Sequence, residues 1–456
     1  MKGAYYEGTV LSPEEGGRVL FAEVPVGWSE LGFPEVDENG DRLYYRILKN
    51  IPGRRDAGRI WAEHYDRFLL AQGFTQSIVE LRLFYKHLPD GKIFIVGVYV
   101  DDNWTLCDDD AEWDRFLSDW RAAFVESSNV LEAENDFCGV RYDDKPDGSL
   151  ELSCGKLLAE LESMLRDFPE PAGTETPMLY DSLQRMRETG EAVLEDRVPA
   201  ARALVGLGLF VVRGARPDGL FAGIAVSQHI ANNLTPYVWE CVLRWAYYLV
   251  GTKHLRLVFH PPRLVDGFPC FRANSDSSCI NCAAGDGGAV GGVPDAQTCA
   301  SASMGGYSVY FEGSGVAIAE CFSPRKLADS SAGSELVMAT WAGKAVLSLR
   351  MLQRELRLGP SGATPLELDA TAVLNGAVME TVTRKQRFNA ARLGMLRQWG
   401  IDEALRLEKV NTDDMRSDIL TKPVAPVKHF QRLARLLLTG NPEEPRGVAS
   451  ASSEVN

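Results

Sequence analysis

The chain has 456 residues, of which 45% are hydrophobic and 24% charged, and its formal net charge is -15. This length accommodates two to four domains of about 100 to 200 residues each, and the acidic balance argues against broad, non-specific nucleic-acid binding, which needs clustered Lys and Arg. Because no apolar stretch approaches the ~20 residues of a membrane span and no signal-peptide core begins the chain, we expect an intracellular protein without a membrane partner.

The first predicted elements are a helix and a strand. Residues 58–73 (GRIWAEHYDRFLLAQG) carry Trp61, Tyr65, Phe68 and Leu69 at helical spacing and end on glycine, a common helix stop. Residues 93–100 (IFIVGVYV) predict a strand, because the run is short and rich in Ile, Val, Phe and Tyr.

Two adjacent carboxylates, Asp101 and Asp102, follow that strand directly. Because consecutive strand side chains point to opposite faces, only one of them needs to face a metal. A bare Asp-Asp pair more often marks an acidic turn. The complete Tyr-Val-Asp-Asp string that begins at Tyr99 is much rarer.

The middle of the chain changes from mixed to helical patterns. A second amphipathic helix is predicted over residues 110–127, and strands over 140–142 and 150–153 flank a hairpin turn at 144–148 (DKPDG). From about 155 to 252 the pattern is helical. The sequence up to residue 154 is therefore typical of an α+β domain with short antiparallel strands.

A third region begins near Phe271. It predicts strands over residues 307–311 and 315–319, a long helix over 334–358, and another strand over 365–369. The apolar stripe that we expect to face the core consists of Val337, Trp341, Ala345, Leu349, Leu352 and Leu356.

The cysteines and glycines leave two weaker hypotheses. Nine cysteines, an odd number scattered along the chain, do not form a disulfide framework, and we expect most of them to be reduced. Cys270, Cys279, Cys282 and Cys299 raise the alternative of a zinc-stabilised interaction protein, although a second tight ligand pair is missing. The GGAVGG segment at 287–292 gives little support to a dehydrogenase or kinase, because it neither follows a clear strand nor opens a helix.

Nine short motifs occur along the chain. They are, in order, KGAYYEG (2–8), GRRDAGRIW (53–61), YVDD (99–102), LVG (204–206), ARPD (215–218), YLVGTKHLRLVF (248–259), NSDS (274–277), SSAGSE (330–335) and DILTKP (418–423). The Tyr-Val-Asp-Asp string resembles the metal-binding hairpin of reverse transcriptases. Together and in this order, the motifs resemble the pol region of copia-type LTR retrotransposons over about residues 1–437.

The resemblance implies an α+β architecture in four parts. Residues 1–154 would form a partial polymerase palm, and residues 155–262 a helical thumb and connection. Residues 263–437 would form a ribonuclease H-like α/β domain with a mixed sheet. Residues 438–456, rich in Pro, Glu, Ser and Ala, are expected to be a disordered tail.

For the polymerase part, the resemblance implies that Asp101 and Asp102 bind metal ions, Mg²⁺ or Mn²⁺, in a two-metal mechanism. The family's third catalytic aspartate would fall just before Met1, together with much of the fingers subdomain, so we expect RNA-directed DNA polymerisation to be lost. Asp56 occupies the position of a glutamine in the family. The residues implied to contact template or primer are Gly53, Arg54, Arg55, Arg59 and Tyr99.

For the ribonuclease H part, the resemblance implies four metal-binding carboxylates on separate elements: a first strand, a helix start, a later strand and a C-terminal helix. They are Asp276, Glu335, Asp369 and Asp418. They would bind two Mg²⁺ or Mn²⁺ ions, with water as the nucleophile.

We therefore expect a retrotransposon reverse transcriptase/ribonuclease H region that cleaves RNA in RNA:DNA hybrids. Its partners would be the hybrid, template-primer nucleic acid and other parts of the same polyprotein. The alternative is a catalytically inactive remnant that serves as a nucleic-acid or protein-binding module.

Overall fold

The computed structural model describes residues 19–24, 27–51, 53–124, 135–186, 192–231, 233–279, 303–323, 331–359, 362–379 and 384–441. The motif at 2–8, Cys282, Cys299, the segment 287–292 and most of the predicted tail lie outside these residues, as does the side chain of Cys279. The chain divides into two compact units, Met1–Cys138 and Gly139–Asn456. Within the described residues the fold is mixed α+β, with several separate sheets.

The described elements of the first unit are β1 (Phe21–Glu23), β2 (Tyr44–Arg46), α1 (Ala57–Ala71), β3 (Thr75–Gln76), β4 (Leu83–His87), β5 (Ile93–Tyr99), β6 (Asp102–Cys107), α2 (Asp110–Ala123) and β7 (Asp136–Phe137). Four of the strands form an antiparallel sheet with the order β3-β4-β5-β6, and β1 and β2 form a separate two-stranded ribbon.

An aromatic core joins α1 and α2 to this sheet. Trp61, Tyr65 and Leu69 from α1 are almost completely buried against Phe94 of β5 and Phe116 of α2. The predicted helix and strand are therefore confirmed. The helix α2 ends at Ala123, and residues 125–127 of its predicted range are not among those described.

The second unit contains strands of a small antiparallel sheet, a set of packed helices and a larger mixed sheet. Its described elements are β8 (Val140–Asp144), β9 (Leu150–Ser153), α3 (Gly155–Leu165), α4 (Ser182–Arg185), α5 (Val198–Gly214), α6 (Leu220–Ser227), α7 (Pro236–Gly251), β10 (Leu257–Phe259), β11 (Leu264–Val265), β12 (Phe268–Pro269), β13 (Phe271–Cys279), β14 (Ser303–Phe311), β15 (Val316–Phe322), α8 (Ser331–Glu355), β16 (Thr364–Leu368), α9 (Thr371–Val378), α10 (Ala390–Ile401), β17 (Leu405–Lys409) and α11 (Val427–Thr439).

The mixed sheet has five strands in the order β15-β14-β13-β16-β17. The strands β15, β14 and β13 are antiparallel to one another, whereas β13, β16 and β17 run parallel. Because parallel strands need crossover connections, helices cover the sheet. The strand β13 therefore lies at the centre of the sheet, with neighbours on both sides.

Both faces of the mixed sheet are buried. On one face, Leu336, Ala339 and Val346 of α8 pack against Val309 and Leu366 of the sheet. On the other face, side chains of β14 and β15 join one continuous core with α3, α5, α6, α7 and α11. The region predicted as a thumb and connection thus shares a core with the region predicted as a separate C-terminal domain.

The predicted core stripe of the long helix is wrong in part. Trp341 is 46% exposed, while the residues that are most deeply buried on α8 include Met338, Ala339 and Ala342. The buried face of the helix is therefore rotated away from Trp341 and contains small residues such as Ala339 and Ala342 beside the larger Met338. The spacing of apolar residues in the sequence could not show which of the apolar side chains of this helix face the sheet.

None of the described helices combines the length and apolarity needed to cross a bilayer.

Candidate metal centre

Three acidic side chains meet where β16 ends beside the central strand β13. Ala273 of β13 is paired with Leu366 of β16. Asp276 and Asp369 each lie three positions further along these neighbouring parallel strands, so the register brings them to the same level at adjacent places. Asp369 follows the last residue of β16, where the chain leaves the sheet.

Glu335 completes the group from the first turns of α8. This helix begins at Ser331, so Glu335 lies slightly inside the helix rather than at its first residue. One carboxylate oxygen from each of Asp276, Glu335 and Asp369 lies within 4.8 Å of the others. The backbone N–H of Ser277 donates to Glu335 Oε1 at 3.2 Å, which ties the helix to the central strand at this point.

Asp418 lies next to Asp276, on a short 3-10 helix (Arg416–Leu420) rather than on the predicted C-terminal α-helix. The preceding Ser417 anchors this turn, because its hydroxyl donates to the backbone oxygen of Asn274 at 3.1 Å. Lys422 bridges the two aspartates, with its Nζ 2.9 Å from Asp418 Oδ1 and 3.4 Å from Asp276 Oδ2. The structure thus brings all four predicted carboxylates to one place.

The packing of these carboxylates makes ionisation costly. Burial, and then the charges of Asp276 and Asp369, raise the pKa of Glu335 to about 9. Burial and the charge of Asp276 raise the pKa of Asp418 to about 7. The other oxygen of Glu335, Oε2, is buried and has no hydrogen-bond partner. A buried acceptor without a donor is unfavourable, and a cation among these oxygens would remove that cost.

The donor set fits a hard divalent cation. Carboxylate oxygens are the ligands that Mg²⁺ and Mn²⁺ prefer, whereas zinc sites usually include Cys or His. The hydroxyl of Thr421 donates to Asp276 Oδ2, which leaves the other oxygen of that carboxylate free for a different partner. The residues present therefore fit Mg²⁺ or Mn²⁺.

The second predicted metal site lies on the hairpin of β5 and β6. Tyr99 pairs with Asp102 across a two-residue turn, and Asp101 and Asp102 are both exposed. Val100 adopts φ 55°, an unusual value for a β-branched residue, and its carbonyl accepts a 2.6 Å hydrogen bond from Trp61 Nε1. Within the described ranges, no third metal-ligating side chain lies close enough to join these two aspartates in a group of three.

Cys138 is a further neighbour of this hairpin. Its backbone N–H donates to Asp102 Oδ2 at 3.2 Å. Burial, followed by the charges of Asp102 and Asp101, raises the pKa of the Cys138 thiol to about 11. The thiol is therefore protonated at physiological pH.

Two of the three arginines predicted to contact template phosphates are already paired with acids. Arg54 makes a bidentate ion pair with Asp56, at 3.1 and 2.8 Å. Arg59 Nη1 lies 2.6 Å from Glu63 Oε1, four residues along α1. Arg55 is exposed.

Gly53, before these arginines, has φ 91° and open space where a Cβ would stand. The backbone conformation therefore requires a glycine there, whereas crowding does not.

Sequence reasoning did not assign roles to Lys422 and Thr421. Both belong to the DILTKP motif at 418–423, and both contact Asp276. The signal was present, because a lysine four residues after Asp418 on a helical turn lies on the same side as that aspartate.

Comparison with known proteins supports the motif-based relationship. The reverse transcriptase (RNA-dependent DNA polymerase) family matches residues 1–149. A transposon Ty5-1 protein of Saccharomyces cerevisiae is 26% identical over 226 residues, which cover 49% of this chain and 70% of that protein. The retrovirus-related Pol polyprotein from transposon TNT 1-94 of Nicotiana tabacum is 22% identical over 429 residues, which cover 92% of this chain.

The matched region spans only 29% of the tobacco polyprotein. Both relatives are transposon proteins, as the motifs predicted. The residues that match the reverse transcriptase family include the YVDD hairpin. Residues 1–149 are therefore related to reverse transcriptases, and the comparisons support a relationship of the chain to the Pol polyproteins of copia-type LTR retrotransposons.

Proposed function

We propose that this chain hydrolyses RNA in RNA:DNA hybrids through a divalent-metal centre formed by Asp276, Glu335, Asp369 and Asp418. The observation that carries the proposal is the convergence of the first three carboxylates within 4.8 Å, with one buried Glu335 oxygen lacking a hydrogen-bond donor. Surface acids alone would not support it, because they are solvated and separated. These groups are held by a central strand and a helix.

We propose that the chain has the domains implied by the resemblance. Residues 1–154 would be a partial palm, 155–262 a thumb and connection, and 263–437 a ribonuclease H-like domain. The reverse transcriptase match supports the first of these. The mixed sheet of β13 to β17, with one acid on the central strand β13 and another just after its parallel neighbour β16, supports the last.

Asp276, Glu335, Asp369 and Asp418 would hold Mg²⁺ or Mn²⁺. When bound, the metal would activate water for attack on a phosphodiester and stabilise the charge that develops on the phosphate and the leaving oxygen. Ser277 N–H orients Glu335, and Thr421 orients Asp276. Water adds to the phosphorus as the bond to the leaving ribose oxygen breaks, and that oxygen takes up a proton.

For the hairpin, we propose that Asp101 and Asp102 are retained polymerase metal ligands, and that the chain by itself does not synthesise DNA. The support is that both are exposed and that, in the described residues, a third ligand is not close enough to them. Two adjacent carboxylates supply too few ligands to hold two metal ions that must position a primer and a triphosphate.

The direct test is cleavage of a labelled RNA:DNA hybrid with Mg²⁺ or Mn²⁺, comparing the wild type with Asp369→Asn. We expect the substitution to reduce the cleavage rate by about 10³-fold or more, in line with loss of a metal ligand. Asp413→Asn is a matched control, because Asp413 is exposed on the Thr412–Asp414 turn and should leave the rate unchanged.

An inactive remnant acting as a binding module makes the opposite prediction. It would bind the hybrid with an affinity that does not depend on divalent metal, and it would not cut it. Folded wild-type protein that fails to cleave in either metal would reject the proposed enzyme and favour this second function.

A further inference from the structure

One cation lies among the carboxylates of the metal centre. The ammonium of Lys422 contacts both Asp418 and Asp276, at 2.9 and 3.4 Å. The side chains of these two aspartates are only 6% and 4% exposed, whereas that of Lys422 is 38% exposed. The lysine therefore reaches in from solvent and compensates two charges that are themselves removed from water.

The remainder of the acidic group lacks such compensation. Among the described residues, the ion pairs of this group involve Asp276 and Asp418, and none involves Glu335 or Asp369. Lys409 lies near Asp369 but donates to its backbone oxygen rather than to its carboxylate. Within the cluster, Asp276 and Asp418 thus already share a positive charge, whereas Glu335 and Asp369 do not.

We infer that Lys422 is a positioning residue that occupies a cation position between Asp276 and Asp418, so that the Asp276, Glu335 and Asp369 group takes the first divalent ion. A second ion then enters beside Asp418 only when the ammonium leaves. This inference rests on the proposed metal centre, and it adds the order of ion binding and the residue that controls it.

The physical basis is competition between cations for shared oxygens. Asp276 contributes to both halves, because it belongs to the three-carboxylate group and also contacts Lys422. An ammonium and a divalent ion a few ångströms apart repel strongly in a site removed from bulk water. The lysine chain is long and partly exposed, so it can withdraw its charge into solvent.

The experiment measures Mn²⁺ binding to the full chain by calorimetric titration, with the number of bound ions checked by electron paramagnetic resonance. We expect the wild type to bind one ion tightly. In Lys422→Met a second ion should bind at least about tenfold more tightly than in the wild type, because a repelling charge is gone and two carboxylates have lost their counter-ion.

Two further variants separate charge from structure. Lys422→Arg keeps a cation on the same stem and should retain the wild-type stoichiometry. Lys428→Met is the matched control: it removes the same charge from an exposed position on α11, and both Mn²⁺ affinities should stay within about twofold of the wild type. If Lys422→Met does not fold without metal, Asp418→Asn tests the same inference, since it should keep the first ion and lose the second.

The outcomes distinguish this inference from the proposed function. Equal stoichiometry and affinity in the wild type and Lys422→Met, or loss of the first ion in Asp418→Asn, would overturn the role of Lys422 even if the hybrid is cleaved. Tight binding of one ion by the wild type and two by Lys422→Met would support that role even if no hybrid is cleaved. Absence of Mn²⁺ binding by folded wild-type protein would overturn the inference.

Discussion

At the scale of single residues, local partners decide what each charged group can do. Asp56 is an example. It stands where the related polymerases have a glutamine, and in the structure it holds the guanidinium of Arg54 in a bidentate pair. The substitution thus removes an uncharged side chain and also neutralises a neighbouring cation.

We predict that Asp56→Gln strengthens binding of a template-primer duplex. The freed Arg54 can then neutralise one additional phosphate, so the slope of log affinity against log salt should steepen by about one. Fluorescence anisotropy at several salt concentrations measures this slope. Asp41→Asn, at an exposed site in the same unit, serves as the control, and an equal change in both variants would show a mere effect of net charge.

At the scale of elements, buried or half-buried ion pairs join pieces of chain that are distant in sequence. The clearest case links the ARPD motif to α7. Arg216 and Asp218 form an ion pair whose side chains are 1% and 0% exposed. Arg216 also donates to Thr252, and the hydroxyl of Tyr248 donates to Asp218. Two motifs recognised in the sequence are therefore explained by a structural network.

We predict that Asp218→Asn destabilises the second unit by about 3 to 5 kcal/mol, because it leaves the buried Arg216 charge without its carboxylate. Urea denaturation measures the change. The double variant Arg216→Met with Asp218→Leu should cost less than the single one, since no charge remains buried. A double variant at least as destabilised as Asp218→Asn would contradict this explanation.

A second element-level link predicts a pH dependence in the first unit. Glu112 of α2 accepts from Arg115 and from Lys86 of β4, each at 2.6 Å, and Lys86 also donates to Gln72 at the end of α1. The hydrogen bond from Arg115, and then that from Lys86, lower the pKa of Glu112 below its ordinary value despite some burial.

Because its pKa is lowered in the folded state, Glu112 stabilises the protein above the ordinary carboxyl pKa, and this stability is lost as pH falls through the folded value. We predict that Glu112→Gln costs about 1 kcal/mol at neutral pH, and that this cost falls at an acid pH at which the folded protein begins to protonate Glu112. Denaturant melts at both pH values measure the difference. If Glu112→Gln destabilises the protein equally at acid pH, the loss of stability comes from packing and not from the charge of Glu112.

At the scale of the whole molecule, the chain consists of two units, each with its own core, and the acidic group lies entirely in the second. A ligand that binds only the folded form of one unit stabilises that unit by mass action. Metal binding at the two predicted sites can therefore be separated by following the unfolding of each unit.

We predict that saturating Mg²⁺ stabilises the second unit by about 2 to 3 kcal/mol, which corresponds to a concentration about a hundredfold above the dissociation constant. Calorimetric melts with Mg²⁺ and with chelator measure this. Asp276→Asn should abolish the effect, whereas Asp101→Asn should leave it intact. A shift that survives Asp276→Asn would place the stabilising ion elsewhere.

The sequence alone determined several local elements, among them the helix at residues 58–73 and the strand at 93–100, and the order of the motifs. The resemblance that these motifs carry indicated which four carboxylates of the 63 acidic residues to examine. Helical and strand periods and turn residues such as Gly148 depend on neighbours in the chain, so they can be read from it.

Only the tertiary structure decided that Asp276, Glu335, Asp369 and Asp418 meet, and that Lys422 lies between two of them. It also decided that Trp341 is nearly half exposed and that Arg54 is paired with Asp56. The physical reason is that burial, strand register and ion pairing depend on distances between side chains in space. Residues 276 and 418 become neighbours only when the sheet and the final 3-10 turn are packed together.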